Sequence, residues 1–141
     1  MSSGNIDIVR SIYAAWERGN HSAAEWADPE IECVFADGPY PARWTGLAHT
    51  DEGMRSFLSA WEEYRIEEGE CRELDAERVL ALVRHRGRLK RSGLQAEHGE
   101  RDAANLFHFR AGKVTRIVFY FDREQALADL GLPPERGSPN P

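Results

Sequence analysis

The stretch FRAGKVTRIVFYFD, residues 109–122, decides the fold. Ala111 and Gly112 separate two runs rich in β-branched and aromatic residues, and a glycine between two such runs predicts a β-hairpin. Ser92 and Gly93 mark a similar turn upstream. The second half of the chain is therefore expected to form four long strands that pair as an antiparallel sheet, at residues 65–74, 78–90, 95–110 and 113–122.

Helical patterns lie before and after these strands. Apolar residues recur at spacings of three and four over residues 5–18 and 51–64, which places them on one face of each helix. A short helix is predicted between these two at 22–26, and a last helix at 123–130. Thr50 is the expected N-cap of the helix at 51–64. The apolar stripes contain Ile6, Val9, Tyr13 and Trp16 in the first helix, and Met54, Phe57, Leu58 and Trp61 in the third.

The first half of the chain also contains two short strand patterns. Residues 30–36 alternate, so that Cys33 and Phe35 share one face while Val34 lies on the other. Residues 42–45 are a second extended piece. Helices segregated against a mainly antiparallel sheet indicate an α+β fold. A strongly bent sheet can wrap around the amphipathic helices and enclose a conical cavity.

Length and composition exclude several classes of protein. The chain has 141 residues, a net charge of −6 and 41% hydrophobic residues, which suits one domain over residues 1–132. The proline-rich residues 133–141 are expected to form a disordered tail. A negative charge argues against a nucleic-acid partner, because phosphate binding needs clustered cations. No apolar run is long enough to cross a membrane and no apolar signal core is present, so a cytoplasmic protein is expected.

No motif in the sequence predicts cofactor or metal chemistry. Two cysteines, Cys33 and Cys71, cannot form a disulfide framework, and each lies in a strand-like run where a thiol acts as a small apolar group. The sequence lacks a P-loop, a GxGxxG motif and a GxSxG motif. His98 lies among acidic residues, but the spacing matches no zinc pattern. We therefore expect neither a cofactor nor a metal.

Four segments carry a resemblance to a known family. They are YAAWERGN at 13–20, WADPEIE at 26–32, FRAGKVTRI at 109–117 and YFDREQALADLGL at 120–132. Their order and spacing resemble the SnoaL-like branch of the nuclear transport factor 2-like superfamily, which includes ketosteroid isomerases, polyketide cyclases, limonene epoxide hydrolases and scytalone dehydratases. The resemblance implies a cystatin-like roll, in which a cone-shaped, strongly curved antiparallel or mixed sheet wraps around three N-terminal helices. It also implies a conical pocket and a homodimer, but no single reaction.

The catalytic carboxylates of that family have no counterparts at the matching positions. A ketosteroid isomerase uses a carboxylate base, a tyrosine and a protonated aspartic acid. Counting from shared landmarks, the base position falls at Val34 and the tyrosine position at Ile12, beside Tyr13. The acid position falls at Asn105, which can still donate a hydrogen bond. The acidic residue that cyclases and epoxide hydrolases carry on the last strand corresponds to Phe119.

His85 is the remaining candidate for proton transfer. It ends an apolar row on its strand that includes Val83, so it points into the cavity if that face lines the cone. Alternatively, it is an idle and partly solvated side chain at the end of a core row. An enzyme would combine His85 with Asn105 or Tyr13 as hydrogen-bond donor. His108 has the opposite parity to Asn105 and is expected on the outer face of the sheet.

Two further polar features have both a functional and a structural interpretation. Arg84, Arg86 and Arg88 share a strand face, and they form either a carboxylate clamp or cross-strand ion pairs with the acidic residues of 67–77. We favour the ion pairs because the two segments have complementary charge. Asp122 follows the last strand and is expected to cap the final helix.

Aromatic side chains suggest the main function. A pocket for a small molecule is mostly apolar and contains a few polar groups. The leading interpretation is a SnoaL-like domain that binds a small apolar or aromatic molecule. The alternatives are an isomerase, cyclase or dehydratase that transfers protons on a steroid-, terpenoid- or polyketide-like substrate, and a non-catalytic dimerisation module whose pocket is filled by its own side chains. Val118 and Tyr120 on the outer sheet face are consistent with a partly apolar dimer contact. The ligand-binding candidates are Trp16, Phe35, Trp44, Phe57, Trp61, Phe107, Phe119 and Phe121.

Overall fold

The computed structural model describes residues 4–19, 25–36, 42–59, 61–89 and 98–133. Within these ranges, the side chains of 42, 57–58, 61–65, 87–89 and 98–101 are not described. The elements in chain order are α1 (Gly4–Glu17), β1 (Ala27–Phe35), β2 (Ala42–Thr45), α2 (Leu47–Ser59), β3 (Trp61–Asp75), β4 (Arg78–Leu89), β5 (His98–Arg110), β6 (Lys113–Tyr120) and α3 (Arg123–Asp129). Most of the helix expected at 22–26, the turn at Ser92 and Gly93, and nearly all of the tail at 133–141 lie outside the described residues.

The strands form one mixed sheet of six, in the order β2-β1-β6-β5-β4-β3. Four neighbouring pairs are antiparallel: β1 with β2, β3 with β4, β4 with β5, and β5 with β6. In contrast, β1 runs parallel to β6. The parallel pair places Phe35 beside Phe119. The strand β1 from the first half of the chain is thereby joined to β6, the last strand. The sheet is mixed and the fold is α+β, as predicted.

The strands β5 and β6 form the hairpin that the segment 109–122 predicts. Ala111 has φ of 53° and Gly112 has φ of 78°. The left-handed region is open to glycine and costly for alanine. Gly112 therefore adopts its turn conformation without strain, whereas Ala111, the preceding turn residue, is strained. The pairing then runs from Arg110 beside Lys113 to Ala104 beside Tyr120.

The two faces of the sheet carry different apolar clusters. The concave face packs against α1 and α2 and holds the larger cluster, which includes Val79, Ala81, Val83, Phe107, Ile117 and Phe119. The outer face packs against α3 through Leu80, Leu82, Leu106, Val118, Tyr120 and Leu127. Val118 and Tyr120 are therefore buried under α3, and the interpretation of these two residues as an exposed dimer contact is wrong. The homodimer itself remains a prediction.

The second described helix begins and ends earlier than its sequence pattern predicts. Gly46 has φ of 91° and turns the chain out of β2, while its carbonyl accepts the backbone N–H of Thr50. Thr50 is therefore inside the first turn of α2 and does not cap it. The helix ends at Ser59, and Trp61 pairs with Leu89 at the start of β3. Pairing with β4 has overridden the helical spacing that included Trp61.

Two of the three N-terminal helices that the resemblance implies are α1 and α2, and the third, expected at 22–26, lies mostly outside the described residues. Within the described ranges, α1 and α2 precede β3 and cover the concave face, whereas α3 follows β6 and covers the outer face. Asp122 is the N-cap of α3, as predicted, and its carboxylate accepts the backbone N–H of Glu124 at 3.1 Å. Arg123 fixes the start of α3 by donating to the carbonyls of Val83 and Ala103.

Trp44 joins α2 to the concave face. Its ring meets the ring of Phe35 edge to face, with centroids 5.1 Å apart. On its other side the indole lies against the backbone of α2 at Gly53, where any Cβ would overlap the ring. Trp44 is therefore a packing residue between sheet and helix, and this close approach explains a glycine in the middle of a helix.

Candidate functional site

Tyr13 of α1 and Asn105 of β5 meet at the centre of the concave face. The side-chain amide of Asn105 donates from Nδ2 to the Tyr13 hydroxyl at 2.6 Å. Asn105 is 0% exposed and Tyr13 is 4% exposed. These are two of the three residues for which the sequence predicts a catalytic or hydrogen-bonding role. The fold brings them together although 92 residues separate them.

The Asn105 amide retains an unsatisfied polar atom. Its Oδ1 is buried and has no hydrogen-bond partner in the protein. Rotating the amide by 180° would exchange the roles of oxygen and nitrogen and would still leave one of them unpaired. Since more than nine in ten buried polar groups find a partner, an orphaned amide atom in a core calls for a ligand or a water molecule.

Aromatic rings surround this amide. Trp16 and Phe107 meet the Tyr13 ring edge to face, with centroids at 5.1 and 5.9 Å. Phe119 is the backbone partner of Asn105 on β6, and its ring lies 4.8 Å from that of Phe35. The polar pair is thus set in an apolar, aromatic surface, which is the composition of a small-molecule site.

His85 lies on the same face but further along the sheet. It is 5% exposed, so the interpretation as a partly solvated residue is wrong. Its ring lies 4.9 Å from that of Phe121. His85 is four residues from Ala81, the partner of Asn105 across β4 and β5, which corresponds to about 13 Å along the strand. A general base must lie within about 3 Å of the proton that it takes, so this separation disfavours joint action by His85 and Asn105 on one reacting group.

The remaining family positions supply no acid or base. Val34 packs with the outer cluster, so the concave positions on β1 are its neighbours Cys33 and Phe35. Burial raises the pKa of Cys33 to about 12, which keeps it a neutral thiol. Phe119 is concave and buried, as expected. Among the described residues, the buried polar side chains are those of Thr50, His85 and Asn105, and none of these is a carboxylate.

The outer polar residues form structural pairs. Arg86 pairs with Glu67 on β3 at 3.0 Å, as the charge pattern predicts, but Arg84 pairs with Asp102 on β5 at 3.3 Å. His108 lies on the outer side, half-buried, and its pKa is lowered by burial and then by the guanidinium groups of Arg116 and Arg78. The carboxylate clamp is therefore not supported at Arg84 and Arg86. The side chains of Arg88 and His98 are not described.

Cys71 lies at the edge of the concave face. Its thiol donates to Glu68 at 3.5 Å, and Glu68 also pairs with Arg10 of α1. Burial, with the charge of Glu68, raises the Cys71 pKa to about 11. Neither cysteine is therefore a thiolate nucleophile at neutral pH.

Thr50 is a concave-face polar residue that the sequence analysis assigned only to a helix cap. It is 4% exposed, and its hydroxyl has no hydrogen-bond partner. A signal was present, because Thr50 lies three residues after Leu47 and four before Met54, on the apolar face of the helix. Of the ligand candidates, Trp16, Phe35, Trp44, Phe107, Phe119 and Phe121 lie in or against the concave cluster. The side chains of Phe57 and Trp61 lie outside the description.

Comparisons with known proteins bear on the fold. No family model and no curated protein matches the sequence. Solved structures do: an NTF2-like protein of unknown function from Burkholderia pseudomallei is 20% identical over 90% of this chain and 97% of that one, with a TM-score of 0.73. The chain has the nuclear transport factor 2-like fold. The resemblance that the sequence segments carry is confirmed at this level.

Two further solved structures are similar to this chain. TerC, co-crystallised with polyporic acid, is 22% identical over 92% of this chain and 98% of its own, with a TM-score of 0.67. A proposed SnoaL-like polyketide cyclase from Jannaschia sp. CCS1 is 13% identical over 93% and 94%, also with a TM-score of 0.67. At these identities the likeness shows the fold, and the chemistry must be argued from the residues of this chain.

Two further features are absent from the residues that the structure describes. No group of three or more histidine, cysteine or acidic residues in this part of the chain is placed to hold a metal ion. No helix within it is long and apolar enough to cross a membrane.

Proposed function

We propose that this NTF2-like domain binds a small apolar or aromatic molecule against the concave face of its sheet. The observation that carries the proposal is the orphaned amide atom of Asn105 at the centre of an aromatic surface. The amide of Asn105 and the hydroxyl of Tyr13 would hold one polar group of the ligand, and the rings of Trp16, Phe35 and Phe119 would contact its apolar body.

The physical argument rests on the cost of an unsatisfied polar group. Leaving a buried amide atom unpaired costs about 1–3 kcal/mol, and a ligand atom that pairs with it removes this penalty. Aromatic side chains supply apolar contact area on binding. TerC, which has the same fold, was crystallised with the small organic molecule polyporic acid, which supports a role of this kind.

Binding is favoured over proton transfer by the residues of the site. Asn105 titrates in no accessible pH range, and His85 lies about 13 Å along the sheet. Among the described residues, no carboxylate side chain is fully buried; Asp51 of α2, which has a buried oxygen, is half-buried as a residue. An isomerase, cyclase or dehydratase would need a base beside the reacting atom. No observation places one there.

The test compares two probes of the same shape, 2-naphthol and 2-methylnaphthalene, by measuring dissociation constants in fluorescence titrations. The hydroxyl should make 2-naphthol bind about tenfold more tightly, the effect of one good hydrogen bond. Asn105→Leu should abolish this preference, and Tyr13→Phe should reduce it.

Tyr120→Phe is the matched control, because it removes a tyrosine hydroxyl that bonds Asp129 on the outer face. It should leave the preference unchanged. Absence of binding by either probe, or a preference that survives in Asn105→Leu, would contradict the proposal.

A further inference from the structure

Thr50 has another buried polar atom that forms no hydrogen bond within the protein. Its side chain is 4% exposed, and its hydroxyl has no hydrogen-bond partner. A threonine inside a helix usually bonds the carbonyl four residues earlier. Here the carbonyl of Gly46 accepts the backbone N–H of Thr50, and the Thr50 hydroxyl bonds no protein atom. The hydroxyl is thus buried from solvent and forms no hydrogen bond with a carbonyl of the helix.

The helix face on which the Thr50 side chain lies follows from its neighbours on α2. Leu47 and Met54 lie three residues before and four after Thr50, and both pack against the concave cluster. Residues at these spacings share one helix face. Thr50 therefore faces the concave interior, from the helix that covers β1 and β2.

An unbroken series of contacts connects Thr50 to the Asn105 site. Asn105 is the register partner of Phe119, and the Phe119 ring contacts Phe35. The Phe35 ring meets Trp44, whose indole lies against α2 at Gly53, one turn after Thr50. Asn105 and Phe35 are two strands apart, which corresponds to about 10 Å across the sheet. The Asn105 amide and the Thr50 hydroxyl thus border one aromatic surface from opposite sides.

We infer that Thr50 binds a second polar group of the ligand, so that the preferred ligand is an elongated aromatic molecule with a hydrogen-bonding group at each end. The inference rests on the proposed function and narrows it to a chemical class. Molecules with one polar group leave Thr50 unpaired, and each missing partner lowers affinity. Thr50 is then the residue that selects doubly substituted ligands over singly substituted ones.

The test measures dissociation constants for 2,6-dihydroxynaphthalene and 2-naphthol. In the unmodified protein the diol should bind about tenfold more tightly than the mono-alcohol. Thr50→Val keeps the shape of the side chain and removes the hydroxyl, so it should bring the ratio close to one without weakening 2-naphthol. Thr50→Ser keeps a hydroxyl and should preserve the preference.

A second readout requires no ligand. Thr50→Val removes an unpaired buried hydroxyl and should raise the melting temperature of the free protein by about 2–5 °C. Thr115→Val is the matched control, because the Thr115 hydroxyl has a partner in the His108 carbonyl at 3.3 Å. This control should lower the melting temperature slightly and leave the diol preference intact.

The outcomes separate the two proposals. If both probes bind and the diol preference is absent, or survives in Thr50→Val, the inference about Thr50 is wrong and the proposed function stands. A fall in melting temperature for Thr50→Val would also overturn the inference, since it would show that the hydroxyl stabilises the free protein. If neither probe binds, the proposed function fails and the inference fails with it.

Discussion

At the scale of single residues, Gly53 shows how one missing side chain fixes two elements. The backbone of α2 at this position touches the indole of Trp44, so that even a methyl group would overlap the ring. Glycine is unfavourable inside a helix by about 0.5–1 kcal/mol relative to alanine. The close approach of Trp44 outweighs that preference.

Gly53→Ala should therefore destabilise the protein in spite of its better helix propensity. Overpacking a fitted contact costs about 1–3 kcal/mol, measurable as a lower denaturation midpoint in urea. Gly4→Ala is the control, because nothing lies within 4 Å of a Cβ at Gly4. Equal stability of the two variants would show that Trp44 does not restrict this position.

Cys33 makes the stability of the folded protein depend on pH in the alkaline range. Burial raises its folded-state pKa to about 12, whereas an unfolded cysteine titrates near pH 8.5. The unfolded chain therefore loses this proton first, and the stabilisation, which is fully present below about pH 8.5, declines as the pH rises towards 12.

The free energy of unfolding should fall more steeply with pH in the unmodified protein than in Cys33→Ala. The difference in slope should approach 1.4 kcal/mol per pH unit above about pH 9. Denaturation curves between pH 8 and 10.5 measure it. Other titrating groups contribute equally to both proteins, so parallel curves would contradict the assignment of a neutral, buried thiol.

At the scale of elements, α3 protects the outer face of the sheet. Leu127 is 1% exposed and packs against the cluster that contains Val118 and Tyr120. Without this helix the outer face would be an exposed apolar patch, and such patches promote association.

Leu127→Ala should cost about 2–4 kcal/mol, because it leaves a cavity in this cluster. Leu130→Ala, at the half-buried end of the same helix, should cost clearly less. Thermal denaturation of both variants tests the comparison. Equal losses would mean that α3 does not seal the outer cluster through Leu127.

Element positions were largely predictable from local sequence, and their partners were not. The glycine turn at Gly112 and the alternation in β1 and β4 gave correct strands. The prediction of helix at Trp61 was wrong because the spacing of this residue continues a helical stripe. Its pairing with Leu89 on β4, which the local sequence does not show, places it in β3 instead. Val34 was assigned a pocket position by counting, and a one-residue error moves a strand side chain to the opposite face.

At the scale of the whole molecule, the parallel pairing of β1 with β6 creates the site. It brings Phe35 beside Phe119, and the antiparallel neighbours then place Asn105 under α1. Sequence reasoning identified Tyr13 and Asn105 separately, but their contact depends on folding across 92 residues. Thr50 was missed as a site residue because its inward direction depends on where α2 begins.

The same arrangement determines which polar groups the described concave face offers. It carries the Tyr13–Asn105 pair, and Asn105 and Phe119 stand at positions where the resemblance implies acidic residues. A neutral amide needs no pKa shift to act at any pH. We therefore expect ligand affinity to stay constant between pH 6 and 8, whereas a titrating base would make it vary.

The central claim is that a ligand seats on the concave face with a polar group at Asn105. The most direct test is a crystal structure of the protein soaked with 6-bromo-2-naphthol, located by the anomalous signal of bromine. The account predicts the naphthol oxygen at about 2.7–3.2 Å from the Asn105 amide, with the rings against Trp16, Phe35 or Phe119. Bromine found only outside the concave face, with the Asn105 amide paired to water alone, would contradict it.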